Sequence, residues 1–204
     1  MNTHPRTSPW LRRVALLAAL GLATLAAGLA YLSRADGPVG IFAGGPLRSG
    51  DLVDFTALDW QALDRLHDLE LELVGEGRSR TLWFSVHDGI PYVACDLDCV
   101  GGVLERWPQQ VERDDRVVVR IDGRRVLGRL VHVPHGSEEY ARVRAGRERK
   151  FSGEGGGLAA AETAAHNAVV DVGEQLTGRA RRAEPGDRLF RIDPRASDGS
   201  EETH

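Results

Sequence analysis

Residues Arg78 to Leu97 read Arg-Ser-Arg-Thr-Leu-Trp-Phe-Ser-Val-His-Asp-Gly-Ile-Pro-Tyr-Val-Ala-Cys-Asp-Leu. Two runs of β-branched and aromatic residues flank Asp88-Gly89. An Asp-Gly step between alternating apolar runs favours a two-residue hairpin loop, because both residues tolerate the positive φ of a type I′ turn. A turn there sets His87 opposite Ile90 and fixes every pair behind it. One face then carries Leu82, Phe84, Val86, Pro91, Val93 and Cys95. The other carries Thr81, Trp83, Ser85, His87, Tyr92, Ala94 and Asp96. The first is a core face and the second is mixed, as in a barrel wall with one wet side.

Outward from this hairpin, Leu69-Glu70-Leu71-Glu72-Leu73 alternates strictly and reads as a strand with one wet face. Arg116 to Val133 reads as a second hairpin turning at Asp122-Gly123, and Asp187 to Asp193 as a closing strand after Pro185-Gly186. Asp59 to His67 reads as a short helix. Val100 to Gln110 reads as a short helix or loop broken at Pro108. Ser137 to Lys150 reads as a helix with Glu138 and Glu139 in its first turn and bases in its last, matching the helix dipole. Leu158 to Leu176 reads as a helix stopped at Gly178. Strands dominate the middle of the chain and helices fill the gaps. The expected fold is mainly β with peripheral helices: a small antiparallel barrel.

The amino-terminal part has a different character. Val14 to Ser33 is uncharged and apolar or small at nearly every position, and about 20 such residues cross a bilayer. Arg6, Arg12 and Arg13 precede it with no acid among them, which keeps the amino end cytoplasmic. The run reads as an uncleaved anchor, with a cleaved signal peptide as the alternative. The expected organisation is a cytoplasmic start (1–13), an anchor (14–33), a glycine- and proline-rich linker (34–54), the barrel (55–195) and a polar, disordered tail (196–204). The barrel would then lie outside the inner, or cell, membrane on a single-pass protein.

Composition limits the function classes. The chain has 204 residues, 27% charged and 42% hydrophobic, as a globular protein has. A formal net charge of -4 argues against nucleic acid as a partner. Lys150 is the only lysine, and its setting in Arg147-Glu148-Arg149-Lys150 looks solvated. Cys95 and Cys99, four residues apart, form either a disulfide or two free thiols. No Walker loop, no G-x-S-x-G and no complete metal-ligand set is present.

The candidate site follows from the second hairpin. A turn at Asp122-Gly123 sets Arg120 opposite Arg125 and Arg116 opposite Arg129 on one side of the sheet. Like charges directly opposite destabilise a sheet, so something acidic should cover them: a carboxylate of this chain such as Glu112, Asp114, Asp115 or a helix acid, a partner subunit, or a phosphate; the alternative is that they point into water.

These features together resemble the split β-barrel of the pyridoxamine-phosphate-oxidase-like and deazaflavin (F420)-dependent nitroreductase families. The likeness lies in the alternating strand, Arg78-Ser79-x, the Leu82-Trp83-Phe84 strand turning at Asp-Gly into Tyr92-Val93, Trp107, Asp115-Arg116-Val117-Val118, and Leu189 to Pro194. The resemblance implies FMN or F420, with haem as a further option through His87 or His132, and a homodimer. The family's phosphate-contact region falls on Arg78, Ser79 and Arg80; Trp83 and Trp107 offer flat faces for a ring, and Arg116, Arg120 and Arg125 of the charged hairpin face complete the candidate cofactor contacts. Hydride transfer would belong to the cofactor, so no catalytic side chain is required. The alternative is an exported, non-catalytic domain of the same fold that binds a ligand or partner. Export favours this alternative. So does the departure at Ser79, where Arg80 follows in place of the usual glycine.

Overall fold

The computed structural model describes residues 9–40, 42–95, 107–151 and 188–196. Helix α1 (Pro9–Arg34) comes first, then β1 (Asp51–Leu52) and α2 (Trp60–Leu63). After these come β2 (Asp68–Leu73), β3 (Arg78–His87), β4 (Ile90–Cys95) and α3 (Trp107–Val111). The described elements end with β5 (Arg116–Ile121), β6 (Arg124–Val133), α4 (Glu138–Phe151) and β7 (Arg188–Pro194).

Both Asp-Gly steps turn as their chemistry dictates. Asp88 and Gly89 take φ of 51° and 76°, Asp122 and Gly123 take 51° and 72°, and no other non-glycine residue among those described has positive φ. His87 faces Ile90 and Phe84 faces Val93. Arg120 faces Arg125 and Arg116 faces Arg129. Strands β2, β3, β4, β7, β6 and β5 pair in that order, all antiparallel, and β5 returns to β2. The result is a closed six-stranded antiparallel barrel, and β1 adds to β6 in parallel.

The interior is solid. Leu69, Leu71 and Leu73 of β2 meet Phe84, Val93, Val117, Val119, Ile121, Val126, Leu130, Phe190 and Ile192, all essentially buried. Trp107 and Val111 of α3 close one end, where Arg80 lies 5.9 Å from the Trp107 ring centre. Trp60 and Leu63 of α2 close the other, where Asp64 accepts the Val86 N–H at 2.8 Å. A second, smaller apolar cluster lies outside the wall: Tyr140 and Val143 of α4 pack on Tyr92, Val133 and Leu189.

Several local expectations change. The helix anticipated over Asp59 to His67 is a single turn, Trp60–Leu63, capped by the Asp59 carboxylate on the Ala62 N–H. Of the stretch Val100 to Gln110, residues 100–106 lie outside the described residues; Pro108 sits in the first turn of α3 as described, where a missing N–H costs nothing. Cys95 is disulfide-bonded, and the chain's other cysteine is Cys99. The helix anticipated over residues 158–176 lies outside the described residues.

Lys150 is not solvated. Its side chain is 14% exposed, its Nζ donates to Asp64 Oδ1 at 2.8 Å and lies 4.4 Å from the Phe84 ring centre. Burial lowers its pKa, against the opposing pull of Asp64.

The glycine- and proline-rich run after α1 is laid on the barrel. Gly44 pairs with Ser79 through N–O contacts of 2.9 and 3.3 Å, and Gly37, Gly44, Gly45 and Leu47 are buried. It forms a strap across the outer face of β3, β2, β5 and β6.

Candidate functional site

The arginine face lies under this strap. Arg120 and Arg125 oppose each other across β5 and β6, and the strap supplies what two facing cations need. Arg120 Nη1 reaches Asp36 Oδ1 at 3.0 Å and Ser49 Oγ at 2.8 Å, and its Nε donates to Glu70 on β2. The Glu70 hydrogen bond, more than any other influence, raises the Arg120 pKa above its ordinary value. Arg125 donates to the carbonyls of Gly50 at 3.0 Å and Leu47 at 2.9 Å.

Asp36 is the hub. Its carboxylate accepts the Arg48 N–H at 2.7 Å and the Ser49 N–H at 3.1 Å. These donors, Arg48 first, hold its pKa far below the usual carboxylate range. Glu72, almost fully buried, accepts the Leu47 N–H at 2.8 Å. On β3, Arg78 donates to the Ala43 carbonyl at 2.8 Å and Ser79 Oγ to the Gly45 carbonyl at 2.5 Å.

The contact is close enough to require glycine. A Cβ on Gly44 would overlap the Gly37 carbonyl, and Gly37 itself holds φ of 87° beside the Arg120 guanidinium.

Four of the residues singled out in the sequence therefore meet in one patch: Arg78, Ser79, Arg120 and Arg125. The others lie elsewhere. Arg80 and Trp107 belong to the barrel's closed end, and Trp107 is 1% exposed. Trp83 stacks on Phe151, 5.2 Å between ring centres at 18°, with His67 against the same pair. Arg116 makes a two-pronged pair with Asp114 at 2.9 and 2.7 Å, which lowers the Asp114 pKa to about 2. It lines a surface hollow of about 660 Å³ with Arg113, Arg129, Arg195, Glu112 and Asp115. Arg129 pairs with Asp115 there at 3.1 Å. His87 lies beside Asp88 at 3.4 Å and His132 stands 5.6 Å from the Phe190 ring. Among the described residues no group of three or more His, Cys, Asp or Glu side chains could hold a metal.

The acid expected over the arginine face is therefore present, and this chain supplies it. Asp114 and Asp115 were identifiable from their position beside Arg116. Asp36, Glu70 and Ser49 were not. The one available signal was the alternation of Leu69 to Leu73, which aims Glu70 and Glu72 to the wet side. With the strap in place, the donors of Arg78, Ser79, Arg120 and Arg125 point at backbone carbonyls and carboxylates. This arrangement does not fit a flavin or deazaflavin phosphate, which would have to displace Asp36 or the strap.

No protein-family model matches the chain, and no curated protein does. Among solved structures, a FAD-binding protein from Mesorhizobium loti aligns at 13% identity, covering 67% of this chain and 84% of that one, with a TM-score of 0.37. HutZ, the heme storage protein from Vibrio cholerae, aligns at 14% identity, covering 67% and 88%, with a TM-score of 0.39. Among the described residues one helix, over Arg12–Arg34, is long and apolar enough to span a membrane.

Proposed function

We propose that the protein is a single-pass, membrane-anchored barrel whose exported domain binds a ligand or partner without catalysing a reaction. The observation that carries this reading is the arginine patch: its donors hold the chain's own strap, and the barrel interior behind it is filled by side chains. Helix α1 would span the inner membrane with Arg6, Arg12 and Arg13 on the cytoplasmic side. The disulfide at Cys95 is in keeping with an oxidising compartment.

A second reading keeps the redox role. In it, the domain is a split barrel of the pyridoxamine-phosphate-oxidase-like or deazaflavin-dependent nitroreductase kind, acting on a small molecule as a homodimer. The open hollow at Arg116 favours it, because four arginines face three acids there, Arg113 and Arg129 are exposed, and Arg116 and Arg195 are half-buried. Arginine forks suit the phosphate of FMN or F420. When bound, the flavin or deazaflavin would supply the hydride chemistry.

An absorbance spectrum separates the two. The full chain, purified in detergent, is mixed with FMN, F420 and haem in turn and passed through a desalting column. The binding-domain reading expects a colourless protein after each. A stoichiometric flavin band that survives the column, and that Arg116→Ala removes, would establish the redox reading in its place. A retained Soret band would also overturn the first reading, and His87→Ala and His132→Ala would then locate the ligand.

A further inference from the structure

Outside α1, only three large apolar side chains among the described residues are exposed: Phe42, Leu52 and Ile90. Phe42 is 60% exposed, and it stands at the tip of the strap, three residues after Val39. We propose that this tip is a second membrane contact, seated in the headgroup layer beside the point where α1 leaves the bilayer, so that the barrel has a fixed orientation on the lipid surface. The proposal rests on the reading of α1 as an anchor.

The backbone of the tip suits such a layer. The Val39 N–H donates to the Phe42 carbonyl at 3.0 Å and the Phe42 N–H returns to Val39 at 3.1 Å. Gly40, with φ of 60°, makes the reversal. Backbone groups that are already paired cost less to move from bulk water into the headgroup layer, and this hairpin pairs its own at its base.

The tip is also held rigidly. On its amino side Asp36 is fixed by Arg48, Ser49 and Arg120. On its carboxyl side the Ala43 and Gly45 carbonyls are gripped by Arg78 and Ser79. The barrel therefore sets where Phe42 points.

Its position relative to α1 is fixed as well. The strap returns to the end of the helix: Arg48 Nη1 donates to the Arg34 carbonyl at 3.1 Å, and a Cβ on Gly45 would lie 2.5 Å from the Ala35 carbonyl oxygen. The tip begins four residues beyond Ala35, a reach of about 13 Å at most. Each headgroup layer is roughly 5–7 Å thick, so a tip leaving the helix end sideways stays within reach of it. Tyr31, 67% exposed on the last helical turns, sits at the depth where membrane proteins place aromatic belts. Arg34 and Arg48 flank the same point with positive charge that complements lipid phosphate.

The test uses the full chain reconstituted in vesicles of phosphatidylcholine and phosphatidylglycerol. Phe42→Cys and, separately, Ile90→Cys are labelled with an environment-sensitive fluorophore. Ile90 follows the β3–β4 turn, and His87 lies eight residues along β3 from the strap contact at Ser79, about 26 Å away. The label at residue 42 should be blue-shifted, quenched by headgroup-level spin-labelled lipid, and roughly threefold less accessible to an aqueous quencher than the label at 90. Equal aqueous access at 42 and 90, with the protein still vesicle-bound after a carbonate wash, would overturn the tip contact and leave the anchor standing. Shielding at 42 without lipid quenching would also overturn it, because a protein surface would then be the occupant. Release by carbonate would overturn the anchor, and the tip contact with it.

Discussion

Two covers lie on the outside of one barrel, and they hold by different means. On the β4, β7 and β6 side, α4 contributes Tyr140 and Val143 to an apolar cluster with Tyr92, Val133 and Leu189. On the β3, β2, β5 and β6 side, the strap has one deeply buried aliphatic side chain, Leu47, and holds mainly through Asp36, Glu70, Glu72 and backbone carbonyls gripped by arginines. The first cover is centred on non-directional apolar contact that tolerates small changes of shape, with the polar contacts of Glu139 and Lys150 beside it. The second depends on distance and charge at each contact, so single-atom changes and acid should act on it selectively.

The largest break in that contrast should come from Gly44→Ala. The added Cβ meets the Gly37 backbone, which cannot yield without moving Asp36 off Arg120. We expect a loss of about 3 kcal/mol, read as a lowered urea midpoint, with new proteolysis within residues 35–50 while α4 stays protected. An unchanged midpoint would mean the strap does not seat as closely as described.

Arg120→Ala should follow at about 2 kcal/mol, because it leaves Glu70 and Asp36 facing each other without their shared cation. The same contacts give the strap an acid limit. The folded Asp36 pKa lies below its unfolded value, so the stability it contributes is present above about pH 4 and is lost as pH falls below that. Asp114, lowered to about 2, adds a second loss between about pH 4 and 2. Asp36→Asn should flatten the first part of a plot of urea midpoint against pH, and a plot of unaltered slope would remove Asp36 from that role.

How far the sequence showed these two covers depended on separation along the chain. Both hairpin registers were legible because Asp88-Gly89 and Asp122-Gly123 fix their own φ angles, and every pair follows by counting. The conflict between Arg120 and Arg125 was legible for the same reason. Its resolution was not: Glu70 is 50 residues from Arg120 and Asp36 is 84 away. Nothing local in the acid or the base encodes such a meeting. Lys150 shows the same limit, since three neighbouring charges made it look wet while Asp64, 86 residues earlier, draws it under the Phe84 ring. The glycines of the strap permit two structural roles, a loose tether or a close approach of backbones, and composition alone does not distinguish them.

On the helix side the sensitivity should be alkaline. Tyr92 donates to Glu139 Oε1 at 3.0 Å, and burial, with that hydrogen bond, raises its pKa to about 12. A raised pKa makes its contribution complete below about pH 10 and lost as pH climbs from 10 towards 12. Tyr92→Phe should cost about 1 kcal/mol at neutral pH, since Arg191 still pairs with Glu139 at 2.9 Å, and should abolish the alkaline component. A phenolate absorbance titration that shows every folded tyrosine ionising near pH 10 would contradict this.

The smallest effect has the opposite sign and sharpens the contrast most directly. Gly146 lies inside α4 with nothing within 4 Å of where a Cβ would stand. Its φ is not positive, so alanine meets neither strain nor a neighbour there. Gly146→Ala should therefore stabilise by about 0.5–1 kcal/mol, through the lower helix entropy cost of alanine. The same substitution that dislodges the strap at Gly44 should thus tighten the opposite cover. Measured together in urea, the two variants should move the midpoint in opposite directions. A Gly146→Ala variant that destabilised would mean that α4 meets another part of the chain at that point, and the helix cover would then be as exacting in its contacts as the strap.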